Sequence, residues 1–192
     1  MTTEQESRWK RLTRLLEPIH PQALATARRL SRSADEGNDL YQEAVVRAFD
    51  KLHGLREESR FRAWFFAILL SRHRSGRRRL RLMPVSLEEA FPNGSEPAGP
   101  SGLPGDEERR AADRAARALA TLPAEQREAI VLHEIEGFSV DEVAEMQGVT
   151  ASAVKSRLSR GREKLRHWYE RHAEFETARG RGSRLAVQGE VS

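Results

Sequence analysis

The chain has 192 residues, 38% of them hydrophobic and 32% charged, and its 33 Lys and Arg against 29 Asp and Glu leave a formal charge of only +4. So polar a chain predicts two small helical cores rather than a single deep one. The absence of cysteine excludes disulfides, thiolate catalysis and cysteine-based zinc sites.

The opening residues, MTTEQESRWKRL, lack the apolar stretch of a secretory signal, and the longest apolar run, Ala63 to Leu70, is far too short to cross a bilayer. A soluble, cytoplasmic protein without membrane insertion is expected. Strand patterns are nearly absent. Leu12, Leu15, Leu16 and Ile19 begin a helical stripe interrupted by Pro18 and Pro21, and Leu24, Ala27 and Leu30 suggest a second helix. Asp39 stands at or just inside the start of a third, whose apolar positions Leu40, Ala44, Val45, Ala48, Phe49 and Leu52 end at Gly54. A polar loop leads to the aromatic-rich helix FRAWFFAILLSRHR, with Gly76 as its expected stop.

Charge is segregated along the chain. From Arg60 to Met83 there are eight arginines and no acid, whereas from Pro84 to Glu108 there are six acids and no Lys or Arg. Acids dominate again from Pro123 to Gln147, and basic residues return from Ala151 to Arg171. Basic blocks on helices suit a polyanion, because each phosphate neutralised releases a counterion. A solvated helix face is the ordinary explanation of one such run, and two with aromatic or Ser/Thr neighbours weaken it. The five prolines and four glycines between residues 84 and 105 preclude a long helix and predict a flexible, acidic linker.

After the linker the sequence carries a helix-turn-helix. Ser139 and Glu142 have capping-box spacing, Val140, Val143 and Ala144 face inward, and Gly148 stands where the turn needs a left-handed residue. Val149 packs beneath the turn and Thr150 caps the next helix, whose inward row is Val154, Leu158, Gly161, Leu165 and Trp168. Helical geometry then puts Ser152, Lys155, Ser156, Ser159 and Arg160 on the opposite face, where a groove-bound helix meets base edges and phosphates. Arg157, Arg162 and Lys164 flank that face and suit backbone phosphate. An ordinary helical hairpin with a basic face would not need capping box, Ala, Gly and Val in one register.

Residues 122–166 resemble the C-terminal domain of sigma-70 family factors, especially the extracytoplasmic-function (ECF) group. The resemblance rests on Leu122-Pro123, Arg127, Glu136-Gly137-Phe138-Ser139, Glu142-Val143-Ala144 and Val154-Lys155-Ser156-Arg157-Leu158. It implies recognition of the double-stranded −35 promoter element by Ser152, Lys155, Ser156, Arg157, Ser159 and Arg160. The family commonly has Gly-Thr before this Val, where Ser152-Ala153 stand here, so base preference can differ.

The first half extends the resemblance. Asp39-Leu40-Tyr41-Gln42-Glu43 looks like the family's core-binding helix, which implies that Asp39, Leu40, Gln42 and Glu43 contact core RNA polymerase. Acids favoured near a helix start are the simpler account of that run taken alone. Residues 60–66, RFRAWFF, resemble the family's helix over the melted −10 element, which implies DNA contact by Arg60, Arg62, Trp64, Arg72, Arg74 and Arg77. Aromatics with flanking Arg suit unstacked bases. Trp64, Phe65 and Phe66 are consecutive, however, so at least two should be core. Family members often carry Asn and Asp where Ser71 and Ser75 stand.

The resulting expectation is an all-α chain of two small helical domains joined by a flexible acidic linker. Residues 10–82 would form the core-polymerase and −10 domain, 83–110 the linker, 111–172 the helix-turn-helix domain and 173–192 a disordered tail. The partners implied are core RNA polymerase and promoter DNA, with an anti-sigma factor plausible. No cofactor, metal or catalytic residue is expected, since the six His are scattered without a zinc-binding spacing and no Walker loop or GxSxG is present. The alternative is a stand-alone helix-turn-helix regulator not joined to polymerase, which would leave the first-half motifs without a role and would normally need dimer symmetry.

Overall fold

A computed structural model describes residues 3–82 and 105–187, and every regular element among them is helical. Most of the expected linker, together with residues 188–192 of the expected tail, lies outside the described residues. The first half consists of α1 (Thr3–Leu16), α2 (His20–Leu30), α3 (Ala34–Lys51) and α4 (Phe61–Leu82). A 3-10 turn at Glu17–Ile19 joins α1 to α2, and Pro21 sits in the first turn of α2, where its missing N–H costs nothing.

Three boundaries differ from expectation. Helix α3 starts at Ala34, so Asp39 is a turn and more inside it; the cause is Ser33, whose hydroxyl accepts a hydrogen bond from the Glu36 N–H at 3.2 Å. Gly76 does not stop α4, which continues to Leu82. One glycine in a helix interior costs only about 1 kcal/mol, and arginines with good helix propensity follow it. Beyond the linker, α5 spans Asp106–Ala120, so the last residues assigned to the linker are already helical.

Helix α6 (Ala124–Ile130) passes into a π-helical turn, Val131–Ile135, and is followed by α7 (Val140–Gln147) and α8 (Ala151–Val187). The segment expected to be disordered from residue 173 is thus helical to Val187, and no proline interrupts residues 151–187.

The two halves do not keep separate cores. Leu12, Leu30, Leu52, Phe65, Phe66 and Leu69 of the first join Val131, Leu132, Val143, Val154 and Leu158 of the second in one buried cluster. Helix α4 lies against α7, and α2 against α6 and the π-turn. At the junction the rings of Phe66 and Phe138 meet edge-on with centroids 5.1 Å apart. Each buried phenylalanine contributes about 1.5–3 kcal/mol of apolar transfer to that junction. Inside the first half, α2 and α3 cross so closely that a Cβ on Gly37 would lie 2.6 Å from the Arg28 Cα.

Candidate nucleic-acid interface

The α7–turn–α8 unit is built by local sequence. The Ser139 hydroxyl accepts from the Glu142 N–H at 3.2 Å, while the Glu142 carboxylate accepts from the Ser139 N–H and hydroxyl, each at 2.8 Å. Those bonds from the Ser139 backbone and hydroxyl hold the Glu142 carboxyl below the usual carboxylate range. Helix α7 ends at Gly148, whose φ of +63° lies in the left-handed region, and the Val149 N–H then reaches back to the Ala144 carbonyl at 3.0 Å. Thr150 opens α8 by accepting the Ala153 N–H at 3.2 Å.

Val154, Leu158 and Trp168 of α8 are buried, and Gly161 lets the helix pass over Ile130 of α6. The opposite face carries Ser152, Lys155, Ser156, Ser159 and Arg160, all exposed. Among the described residues none of these five has an ion pair or a side-chain hydrogen bond to another group. Arg157 is placed differently. It is half-buried and donates to the Gln147 side-chain oxygen at 2.5 Å, behind the turn. Arg162 is exposed but paired with Glu134, its Nε 2.9 Å from the carboxylate.

On α3, Asp39, Gln42 and Glu43 are exposed and share a shallow depression with Val46, Arg47, Asp50 and Arg72. Val46 is 62% exposed, an apolar side chain in a polar patch. Leu40, expected in the same surface, is 8% exposed and belongs to the core. Its neighbour Tyr41 is also buried, with its hydroxyl 2.6 Å from His20 Nδ1 and its pKa pushed up to about 12 by burial.

The arginines expected over DNA on and before α4 are distributed among carboxylates. Arg60 pairs with Glu57 and Arg72 with Glu43, the latter at 2.6 Å. Arg62 donates to the Glu136 carbonyl at 2.6 Å and stands 3.5 Å from its carboxylate. Arg74 donates from Nε and Nη2 to one oxygen of the Glu128 carboxylate, at 3.0 and 2.7 Å, and from its other terminal nitrogen to the Gln147 carbonyl at 2.7 Å. Arg77 is half-buried. Phe65 and Phe66 are fully buried, whereas Trp64 is half-buried and lines a groove with Glu142, Glu145 and Met146 of α7.

Sequence reasoning missed Glu128, Glu136, Gln147 and His73. Glu128 is fully buried, with His73 Nδ1 3.1 Å from its other oxygen. Burial alone pushes the Glu128 carboxyl up, but His73 and Arg74 together outweigh burial and hold it below the usual range. The signal was present as complementary charge: the acid-rich block after Pro123 answers the arginine block of α4. No group of three or more His, Asp or Glu among the described residues could hold a metal, and no described helix is long and apolar enough to cross a membrane.

Two family descriptions match the chain, sigma-70 region 2 over residues 15–82 and sigma-70 region 4 over residues 112–165. The ECF RNA polymerase sigma factor EcfG of Rhodopseudomonas palustris is 34% identical over 147 residues, covering 76% of this chain and 77% of the relative. This chain belongs to the ECF sigma factors. SigM of Mycobacterium tuberculosis, another ECF sigma factor, is 30% identical over 147 residues, with 76% of this chain and 70% of SigM covered. Among solved structures, the sigma factor RpoE of Bartonella quintana, in complex with the anti-sigma factor NepR, aligns with a TM-score of 0.72 and 28% identity over 84% of this chain and 98% of RpoE. The chain is a sigma factor directing transcription initiation. A stand-alone regulator is not favoured, because the likeness covers both halves.

Proposed function

We propose that this sigma factor divides its work between three surfaces. The exposed face of α8, formed by Ser152, Lys155, Ser156, Ser159 and Arg160, reads the −35 element in the major groove. Arg60, Arg62, Trp64, Arg72, Arg74 and Arg77 serve the melted −10 region. Asp39, Gln42 and Glu43 of α3 bind core polymerase, with Val46 as the apolar centre of that contact. The observation that supports this reading best is the α8 face itself: five polar or basic side chains, exposed beside a capped helix start, have no partner among the described residues.

The protein acts without a catalytic step of its own, in the cytoplasm, and an anti-sigma factor is its natural regulator. Run-off transcription with core polymerase tests the whole reading, the expected result being transcripts that depend on the added chain. Asp39, Gln42 and Glu43 are tested together: their triple alanine variant should stay folded and lose core affinity. A folded triple variant that holds core as tightly as wild type removes this surface from the assignment.

A further inference from the structure

Among the described side chains of α4, Arg62 and Arg74 are held by carboxylates of the second half, and those acids are buried. The Glu128 side chain is 1% exposed and the Glu136 side chain 4%. Around Glu128 stand Arg74 and His73. Around Glu136 stand Arg62, Arg29 at 3.5 Å and the Thr26 hydroxyl. Every one of these partners lies in the first half. Arg62 also lies over the Phe138 ring, 4.1 Å from its centroid.

A buried ion pair is rarely needed for stability, since well-packed apolar side chains of similar volume do as well or better. It suits a contact that has to open. On separation, a carboxylate and a guanidinium become hydrated, whereas apolar replacements would leave two sticky faces. Carboxylate and phosphate oxygens are alike as charged acceptors for arginine. Here Arg74 brings Nε and Nη2 to one Glu128 oxygen, and Arg62 Nη2 bonds the Glu136 carbonyl at 2.6 Å with the carboxylate 3.5 Å away.

We propose that Glu128 and Glu136 act as internal stand-ins for DNA phosphate, so that closing of the two halves and promoter binding compete for the guanidinium groups of Arg74 and Arg62. The proposal rests on the reading of those arginines as −10 contacts. In the closed chain both are occupied and Trp64 faces the α7 side of a groove; in the DNA-bound chain the two acids are released to solvent.

The test uses the full chain, whose lack of cysteine permits specific labelling. Fluorophores on Lys51→Cys and Glu163→Cys, both exposed positions, report separation of the halves by energy transfer. Transfer should fall in a Glu128→Gln/Glu136→Gln variant, and its affinity for a short single-stranded DNA should rise about tenfold, because the competent fraction grows. Arg62→Ala/Arg74→Ala should open the chain to the same extent yet bind that DNA more weakly than the acid variant. Unchanged transfer in both variants, with helix content intact, overturns the proposal. So does an opened acid variant with no gain in DNA affinity, if Arg62→Ala/Arg74→Ala still weakens promoter binding by the holoenzyme. If that arginine variant leaves holoenzyme binding at the wild-type level, the −10 reading itself has failed. Should the acid variant not fold, DNA titrated into labelled wild type gives the answer: transfer falls on binding, and a flat response at saturating DNA overturns the proposal.

Discussion

Two basic surfaces of this molecule are made from similar residues and stand in opposite conditions. On α8 the outward side chains, Lys155 and Arg160 among them, face solvent without a protein partner among the described residues. On α4, Arg62, Arg72 and Arg74 each hold a carboxylate. A composition count cannot separate the two cases. What separates them is the neighbour: α8 turns its apolar row to α6 and α7 and leaves the other face open, whereas α4 packs between α3 and the second half and meets Glu43 of α3, Glu128 of α6 and Glu136 beyond the π-turn.

The contrast breaks most visibly at Arg74. In the closed chain its loss leaves the Glu128 carboxylate buried beside His73 alone, and because Arg74 is partly exposed the expected cost to that closed state is about 3 kcal/mol, the lower end for broken buried pairs. Urea unfolding of Arg74→Ala at neutral pH measures it. The same pair sets a pH dependence. The Glu128 carboxyl lies lower in the folded chain than in the unfolded one, so its stabilisation is complete above the ordinary Glu value of about 4.3 and is lost as pH falls through its lowered value. The gap between wild type and Arg74→Ala should therefore narrow in acid.

Arg160→Ala tests the other surface. It should leave unfolding unchanged, weaken −35 binding by about 1–3 kcal/mol and relax preference at one promoter position. Binding to a panel of singly substituted −35 sites checks this, and equal loss on every site would take Arg160 off the reading face. Ser139→Ala removes a cap rather than a contact, so about 1 kcal/mol of stability should disappear with promoter preference intact, as melting and the same panel would show. The smallest effect is expected at Arg162. It already shares its charge with Glu134, so Arg162→Ala should weaken all sites about equally and lower the salt slope by no more than roughly one unit.

The helix-turn-helix was legible because its determinants are local. Ser139 with Glu142, Gly148, and Val154 with Leu158 act across a few residues, and each stands in the structure where its spacing put it. Phe65 and Phe66 could be assigned to the core only as two of three candidates, because consecutive residues on a helix point in different directions and only the neighbours decide which is covered. The acids at 128 and 136 were read as part of a charged block. That a carboxylate is buried follows from a partner 54 residues away in the case of Arg74 and Glu128, and no local pattern carries such a distance. Leu40 shows the same limit within a motif: four neighbours in sequence divide between surface and core by helical phase.

The π-helical turn at Val131–Ile135 gives that phase a mechanical meaning. A π-turn is one residue more than an α-helix would use, and it advances everything after it around the axis. Glu134, inside it, is aimed at Arg162 of α8, while Glu136, just beyond it, is aimed at Arg62 and Arg29 in the other half. One short turn is thus clamped at both ends, to α8 and to the first half. Removing one of its apolar residues, such as Leu132, would leave every charge in the sequence and misalign both clamps at once.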